Sequence, residues 1–159
     1  MTVVVGADHA GYAAKEVVRE QLRALGYNVI DVGAMSAAPV DFPDIALAAC
    51  QEVLSGRVER GVLVCGTGVG AAIAANKVDG IRAALAHDTY SAHQSVEHDD
   101  ANVLCLGAQI VGPALMLEII TTFLEARWEA SEDFKRRVQK LHALESGSYR
   151  VVVSDGDGK

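Results

Sequence analysis

Residues 61–77 read GVLVCGTGVGAAIAANK. A short apolar run, GVLVC, ends in a glycine-rich break and passes directly into an alanine-rich stretch suited to a helix, which is the order of a strand, a tight turn and a helix. The same order recurs along the chain. TVVV at 2–5 is closed by Gly6 and followed by a helix over 12–25, with Val17, Val18, Leu22 and Leu25 at helical spacing and a stop at Gly26. NVIDV at 28–32 precedes a helix over 43–55, GVLVC one over 70–77, IRAALA at 81–86 one over 89–97, and NVLCLG at 102–107 one over 113–126. Strands this apolar lack the alternating polar positions of a solvated face, so five such units predict a parallel sheet with helices on both sides: a doubly wound, three-layer α/β/α sandwich. Residues 131–145 add a C-terminal helix, with Ser131 as its cap, Phe134, Val138, Leu141 and Leu144 along one stripe, and a neighbour to pack on.

Composition sets bounds. With 159 residues the chain is long enough for one core without disulfides or metal, so residues 1–150 read as a single domain and VVVSDGDGK at 151–159 as a loose tail. The 14 Lys and Arg against 21 Asp and Glu leave a net charge of −7, which argues against a nucleic-acid partner. MTVVVGADHAG does not read as a secretory signal, and no charge-free apolar stretch reaches the roughly 18 residues of a membrane span. Three Cys, at 50, 65 and 105 with no CxxC spacing, fit a reduced, cytoplasmic compartment.

Open α/β sheets bind ligands beyond the carboxyl ends of their strands. Those ends deliver Asp8 and His9, Cys65 with GTGVG, and His87 with Asp88, while the loop before the fifth strand delivers His98, Asp99 and Asp100. The glycines after Cys65 let successive N–H groups converge on one point, an anion cradle with a thiol at its lip. Its GxGxG spacing is not the dinucleotide fingerprint, and it lacks the GK[ST] of a nucleotide-triphosphate loop. Cys50 and Cys105 suit burial, whereas Cys65 at a helix start is expected to have its thiol pKa lowered. Asp8 can equally cap the helix that begins near Gly11, and His98 with its two aspartates can be a polar helix end. No His or Cys pair stands at metal-ligand spacing, so no metal is expected.

GADHAGY at 6–12, DFPD at 41–44, CGTGVG at 65–70, AANKVDGIRAAL at 74–85, HDTYSA at 87–92 and HDDANVLCLGA at 98–108 resemble, in this order, the ribose-5-phosphate isomerase B and galactose-6-phosphate isomerase family. The resemblance covers residues 1 to about 125. It implies a Rossmann-like sandwich, a homodimer with active sites at the subunit interface, pairing into tetramers left open, and interconversion of aldose and ketose phosphates with no cofactor. It further implies Cys65 as general base through a cis-enediolate and the N–H groups of Gly66, Thr67, Gly68, Val69 and Gly70 around the enediolate oxygen. Asp8 and His9 would hold sugar hydroxyls and phosphate, Thr67 would orient the ring oxygen, and His98 of the partner subunit would open the ring.

The departures are equally informative. Asp99 stands where many members have Asn, Gln109 and Asp133 where many have Arg, Phe134 where many have His, and Phe42 where Tyr is common; Arg137 and His9 keep their places. A phosphate dianion favours bidentate guanidinium contacts. The terminal-group site is therefore altered, toward a tetrulose or hexose phosphate or an unphosphorylated sugar, while the proton-transfer end is intact. Two other readings stay open, a non-catalytic sugar-phosphate-binding module and a Cys-dependent hydrolase.

Overall fold

The computed structural model describes residues 1–150, and the expected tail at 151–159 lies outside the described residues. The chain runs β1 (Thr2–Ala7), α1 (Tyr12–Ala24), β2 (Asn28–Asp31), α2 (Phe42–Leu54), β3 (Arg60–Cys65), α3 (Val69–Ala75), β4 (Ala83–Leu85), α4 (Thr89–Asp99), β5 (Val103–Gly107), α5 (Pro113–Glu125) and α6 (Glu132–Glu145). All five strands are parallel, in the order β2-β1-β3-β5-β4. The expected Rossmann-like α/β/α sandwich with an added C-terminal helix is the fold.

Alternation along the strands sorts the core into two layers. Val3, Val5, Val62, Val64, Leu104 and Leu106 face α1, α4 and α5, where Leu22, Val96, Ile119 and Phe123 are fully buried. Val4, Leu63, Val103 and Cys105 face α2 and α3, against Ala49, Cys50 and Ala75. Burial pushes the Cys50 thiol up to about 11 and the Cys105 thiol higher still, so both sulfurs are core atoms, as expected.

The edge strand β4 is three residues long rather than the six read from IRAALA. Asn76 replaces a strand on its outer side: Ala83 N–H donates to Asn76 Oδ1 at 2.9 Å, and Asn76 Nδ2 donates to the Ala83 carbonyl at 2.8 Å. Asn102 Oδ1 takes the Arg82 N–H at 2.8 Å, so the N–H groups at the start of the segment are satisfied by side chains instead of a ladder. Ser131 occupies the N-cap position of α6, but its side chain accepts no capping hydrogen bond, contrary to expectation. The neighbour of α6 within this chain is α4.

Candidate active site

Strand order reverses between β1 and β3, because β2 lies outside β1 while β5 and β4 lie beyond β3. The register Ala7 opposite Val64 carries on to set Asp8 beside Cys65. The thiol of Cys65 donates to Asp8 Oδ2 at 2.9 Å. Asp8 Oδ1 accepts from the N–H groups of Ala10 and Gly11, each at 3.0 Å, so the carboxylate orders the turn into α1 and is itself fixed. The N-cap residue of α1 is Gly11, and Asp8 serves the turn ahead of the helix rather than the cap position. Gly11 is required by space: a Cβ there would collide with the Val64 carbonyl.

The loop after Cys65 is locked to β5. The Cys65 carbonyl accepts from Ala108 N–H at 2.9 Å and the Gly66 carbonyl from Gln109 N–H at 3.0 Å. Gly68 caps α3 at φ +80°, and a Cβ there would lie 2.8 Å from the Leu106 carbonyl carbon, so conformation and space both call for glycine. His87 Nε2 accepts the Gly107 N–H at 2.9 Å, fastening the last residue of β5 beside the loop. Thr67 Oγ1 accepts from Val69 N–H at 3.4 Å, and the ring of Phe42 covers Gly70, 3.0 Å from where a Cβ would stand.

The expected depression of the Cys65 thiol is corrected. Burial raises its pKa, and the hydrogen bond to Asp8 and the carboxylate's charge raise it further; hydrogen bonds from the N–H groups of Gly68 and Gly66 offset only part of this. The glycine loop acts as foreseen, but burial, joined by an acid from the neighbouring strand, outweighs it. Asp8→Asn removes that charge, so the thiolate should form at lower pH. Alkylation by iodoacetamide followed against pH checks this, since Cys50 and Cys105 are buried; an unmoved profile would mean that Asp8 does not hold the thiol protonated.

His9 is exposed beside Asp8, its Nδ1 accepting from Val40 N–H at 3.4 Å. The segment bearing Val40 is anchored by an ion pair that composition did not reveal. Lys15 is fully buried, and its Nζ donates to both oxygens of Asp31 and to the Ala34 carbonyl, each at 2.8 Å. Lys15, Val18 and Leu22 share the buried face of α1. A lysine on that stripe, with an aspartate closing the next strand, was the available signal.

The remaining expected residues lie elsewhere. α4 starts just past the carboxyl end of β4 and returns to Asp99, ahead of β5, so its 11 residues carry His98 about 15 Å back toward the amino ends of the strands. There the imidazole stacks on Phe134 of α6, ring centroids 4.2 Å apart and 18° from parallel. The Arg137 guanidinium lies 5.3 Å from the same phenyl centroid. Asp99 is exposed and lines a cavity of about 350 Å³ with Arg82, Leu141 and Glu145. Asp8, His9, Cys65, Thr67 and the glycines thus form one cluster at the carboxyl ends of the strands, and His98, Asp99 and Arg137 a second toward their amino ends.

Among the described residues no three His, Cys, Asp or Glu side chains are grouped as a metal site requires, and no helix is long and apolar enough to cross a membrane.

A thiol between a carboxylate and a glycine-rich cradle, at the switch point of a parallel sheet, has the groups that proton transfer beside a developing oxyanion requires. The Ribose/Galactose Isomerase pattern matches residues 3–141, and the chain belongs to that family of aldose–ketose isomerases. It is 39% identical over 143 residues to ribose-5-phosphate isomerase B of Escherichia coli, covering 90% of this chain and 95% of that protein. It is 40% identical over 131 residues to a D-erythrulose-4-phosphate isomerase of Pectobacterium atrosepticum, covering 81% and 86%. The structure of Clostridium thermocellum ribose-5-phosphate isomerase B superposes with a TM-score of 0.90 at 42% identity, over 94% of this chain and all of that one.

Proposed function

We propose that this sugar phosphate isomerase works at a site shared by two copies of the chain, with Cys65 as the base that moves a proton between C2 and C1. The observation that carries the reading is the Cys65–Asp8 hydrogen bond inside the glycine cradle. The resting thiol gives its proton to Asp8 and then removes the proton from C2 of the open-chain aldose. The C–H electron pair forms the C1–C2 double bond, and the carbonyl oxygen becomes an enediolate oxygen facing the N–H groups of residues 66–70. Proton exchange between the two oxygens and return of the proton from sulfur to C1 yield the ketose.

His98, as the ring-opening acid or base, and Arg137, as a phosphate ligand, would come from a second copy packed the opposite way up. The exposed Ile73 and Leu85, which line a cavity of about 390 Å³ along the short edge strand, support a protein partner there. Complementation tests the shared site. Cys65→Ala and His98→Gln enzymes, each inactive, should on mixing and reassociation recover about a quarter of wild-type turnover, because half the dimers then hold one intact site. No recovery, with mixed dimers demonstrated, would put both residues in one subunit's site and overturn the arrangement.

The terminal group of the substrate is read from charge. The side chain of Gln109 lies against Gly66, its Oε1 3.4 Å from a Cβ built there, so a neutral amide borders the cradle. Arg136 is paired to Asp133 at 2.6 Å, leaving His9 and Arg137 as the cations retained at matching positions. A ribose 5-phosphate/ribulose 5-phosphate type reaction is the first reading, supported by relatives such as the Escherichia coli enzyme. A four-carbon sugar phosphate is the second reading, favoured by Gln109 and Asp133. Solvent exchange in D2O, followed by NMR at C2 of ribose 5-phosphate, allose 6-phosphate, galactose 6-phosphate and the free aldoses and at C1 of erythrulose 4-phosphate, decides between them. Exchange with none would overturn both substrate readings and point to a sugar outside this set or to a binding module.

A further inference from the structure

We infer that Phe134 is a positioning residue for His98, fixing the imidazole plane for ring opening; the inference rests on the catalytic reading of His98 given above. Phe134 and His98 belong to different helices, α6 and α4, and their rings lie nearly parallel at 4.2 Å. The edge of the same imidazole is bounded by its own helix, with His98 Nε2 3.6 Å from Glu97 Oε2. A face held by one helix and an edge bounded by another leave the ring little freedom about either side-chain torsion, and transfer of a proton to a sugar ring oxygen depends on that orientation.

Phe134 also touches the other member of this cluster. The Arg137 guanidinium lies 5.3 Å from the phenyl centroid, one helical turn further along α6. The phenyl ring is thus common to the proton donor and the anion-binding cation, and fixes the spacing between them. An aliphatic side chain of equal bulk would fill the volume, but would offer neither the flat face that aligns the imidazole nor the quadrupole that attracts the guanidinium.

The test uses Phe134→Met, which keeps bulk, Phe134→Leu, and Phe134→Tyr, which keeps the face, each assayed on the sugar phosphate that the wild type turns over best among ring-forming substrates. Phe134→Met and Phe134→Leu should lower kcat roughly tenfold with KM changed less than about twofold, and Phe134→Tyr should restore kcat. NMR of the His98 ring protons supplies a readout independent of activity: the upfield ring-current shift should vanish in Phe134→Met and persist in Phe134→Tyr. A raised KM with unchanged kcat would show that the ring serves Arg137 instead and overturn the inference, as would wild-type kinetics in Phe134→Met. Should His98→Gln keep full turnover while the ring-current shift depends on Phe134, the catalytic reading of His98 fails and the stack is structural only. Circular dichroism and melting of each variant separate these outcomes from misfolding, and the two aliphatic variants, Phe134→Met and Phe134→Leu, carry the test independently of each other.

Discussion

Cys65→Ala abolishes turnover, lowering kcat by roughly 10³-fold or more, and stops exchange of the C2 proton with solvent, while the melting temperature stays near that of the wild type. The sulfur is half-buried and bonded to one partner, so its removal takes away a proton carrier rather than a packing element. The pH dependence follows from the raised thiol. Burial and Asp8 keep the resting sulfur protonated, so each turnover opens with proton transfer to Asp8; alkaline pH leaves a growing fraction already as thiolate and spares that step, so turnover by the wild type climbs with pH there. The folded-state pKa lies above the unfolded one, so the protonated thiol contributes stability that is present below the unfolded thiol value and lost as pH rises through the folded value. Thermal melting against pH should accordingly fall less steeply on the alkaline side for Cys65→Ala than for the wild type. A variant that retains C2 exchange would remove Cys65 from the role of base, and the nearest remaining proton acceptor would be Asp8.

What the amino-acid order disclosed depended on how local the cause was. Val3, Val4 and Val5, or Val62, Leu63 and Val64, are consecutive apolar residues with no polar residue among them, and their burial on both faces follows from that pattern alone. The cradle was legible for the same reason, since Gly66, Gly68 and Gly70 are neighbours in the chain. The sign of the Cys65 shift was not, because its largest cause is burial in the assembled fold and its next is Asp8, which reaches the thiol across 57 positions through the pairing of β1 with β3. A motif shows which backbone dipoles surround a group, whereas a charge from another strand needs the sheet order. The stacking of His98 on Phe134 depends likewise on where α6 comes to rest, and no periodicity within 131–145 specifies that. IRAALA misled about strand length because Asn76 and Asn102 do with side-chain amides what the pattern assigned to backbone pairing.

Lys15→Met destabilises the protein by about 3 kcal/mol or more, the scale for breaking a buried pair by removing one partner, and this is a large share of the roughly 5–15 kcal/mol that holds such a domain folded. Methionine fills the volume at the inner face of α1 but cannot donate, so the Ala34 carbonyl loses its lysine donor and each oxygen of the Asp31 carboxylate loses one. Arg19 Nη1 still reaches Asp31 Oδ2 at 2.9 Å, and the Gly33 N–H still donates to Oδ1 at 2.9 Å, which keeps the loss from running to the top of that range. Burial by itself pushes the Asp31 carboxyl up, yet the hydrogen bonds from Lys15, Gly33 and Arg19 together hold it below its ordinary value. A depressed carboxylate contributes stability above its unfolded pKa of about 3.9 and loses it as pH falls through the folded value, so acid unfolding should be steeper in the wild type than in Lys15→Met. The double variant Lys15→Met with Asp31→Leu should recover part of the loss in urea unfolding, because the uncompensated charge then disappears with its partner. If the double variant is no more stable than Lys15→Met, the charge itself was not the cost. The clamp would then act through the Ala34 carbonyl, and so through the segment that carries Val40 to His9 and Phe42 to Gly70.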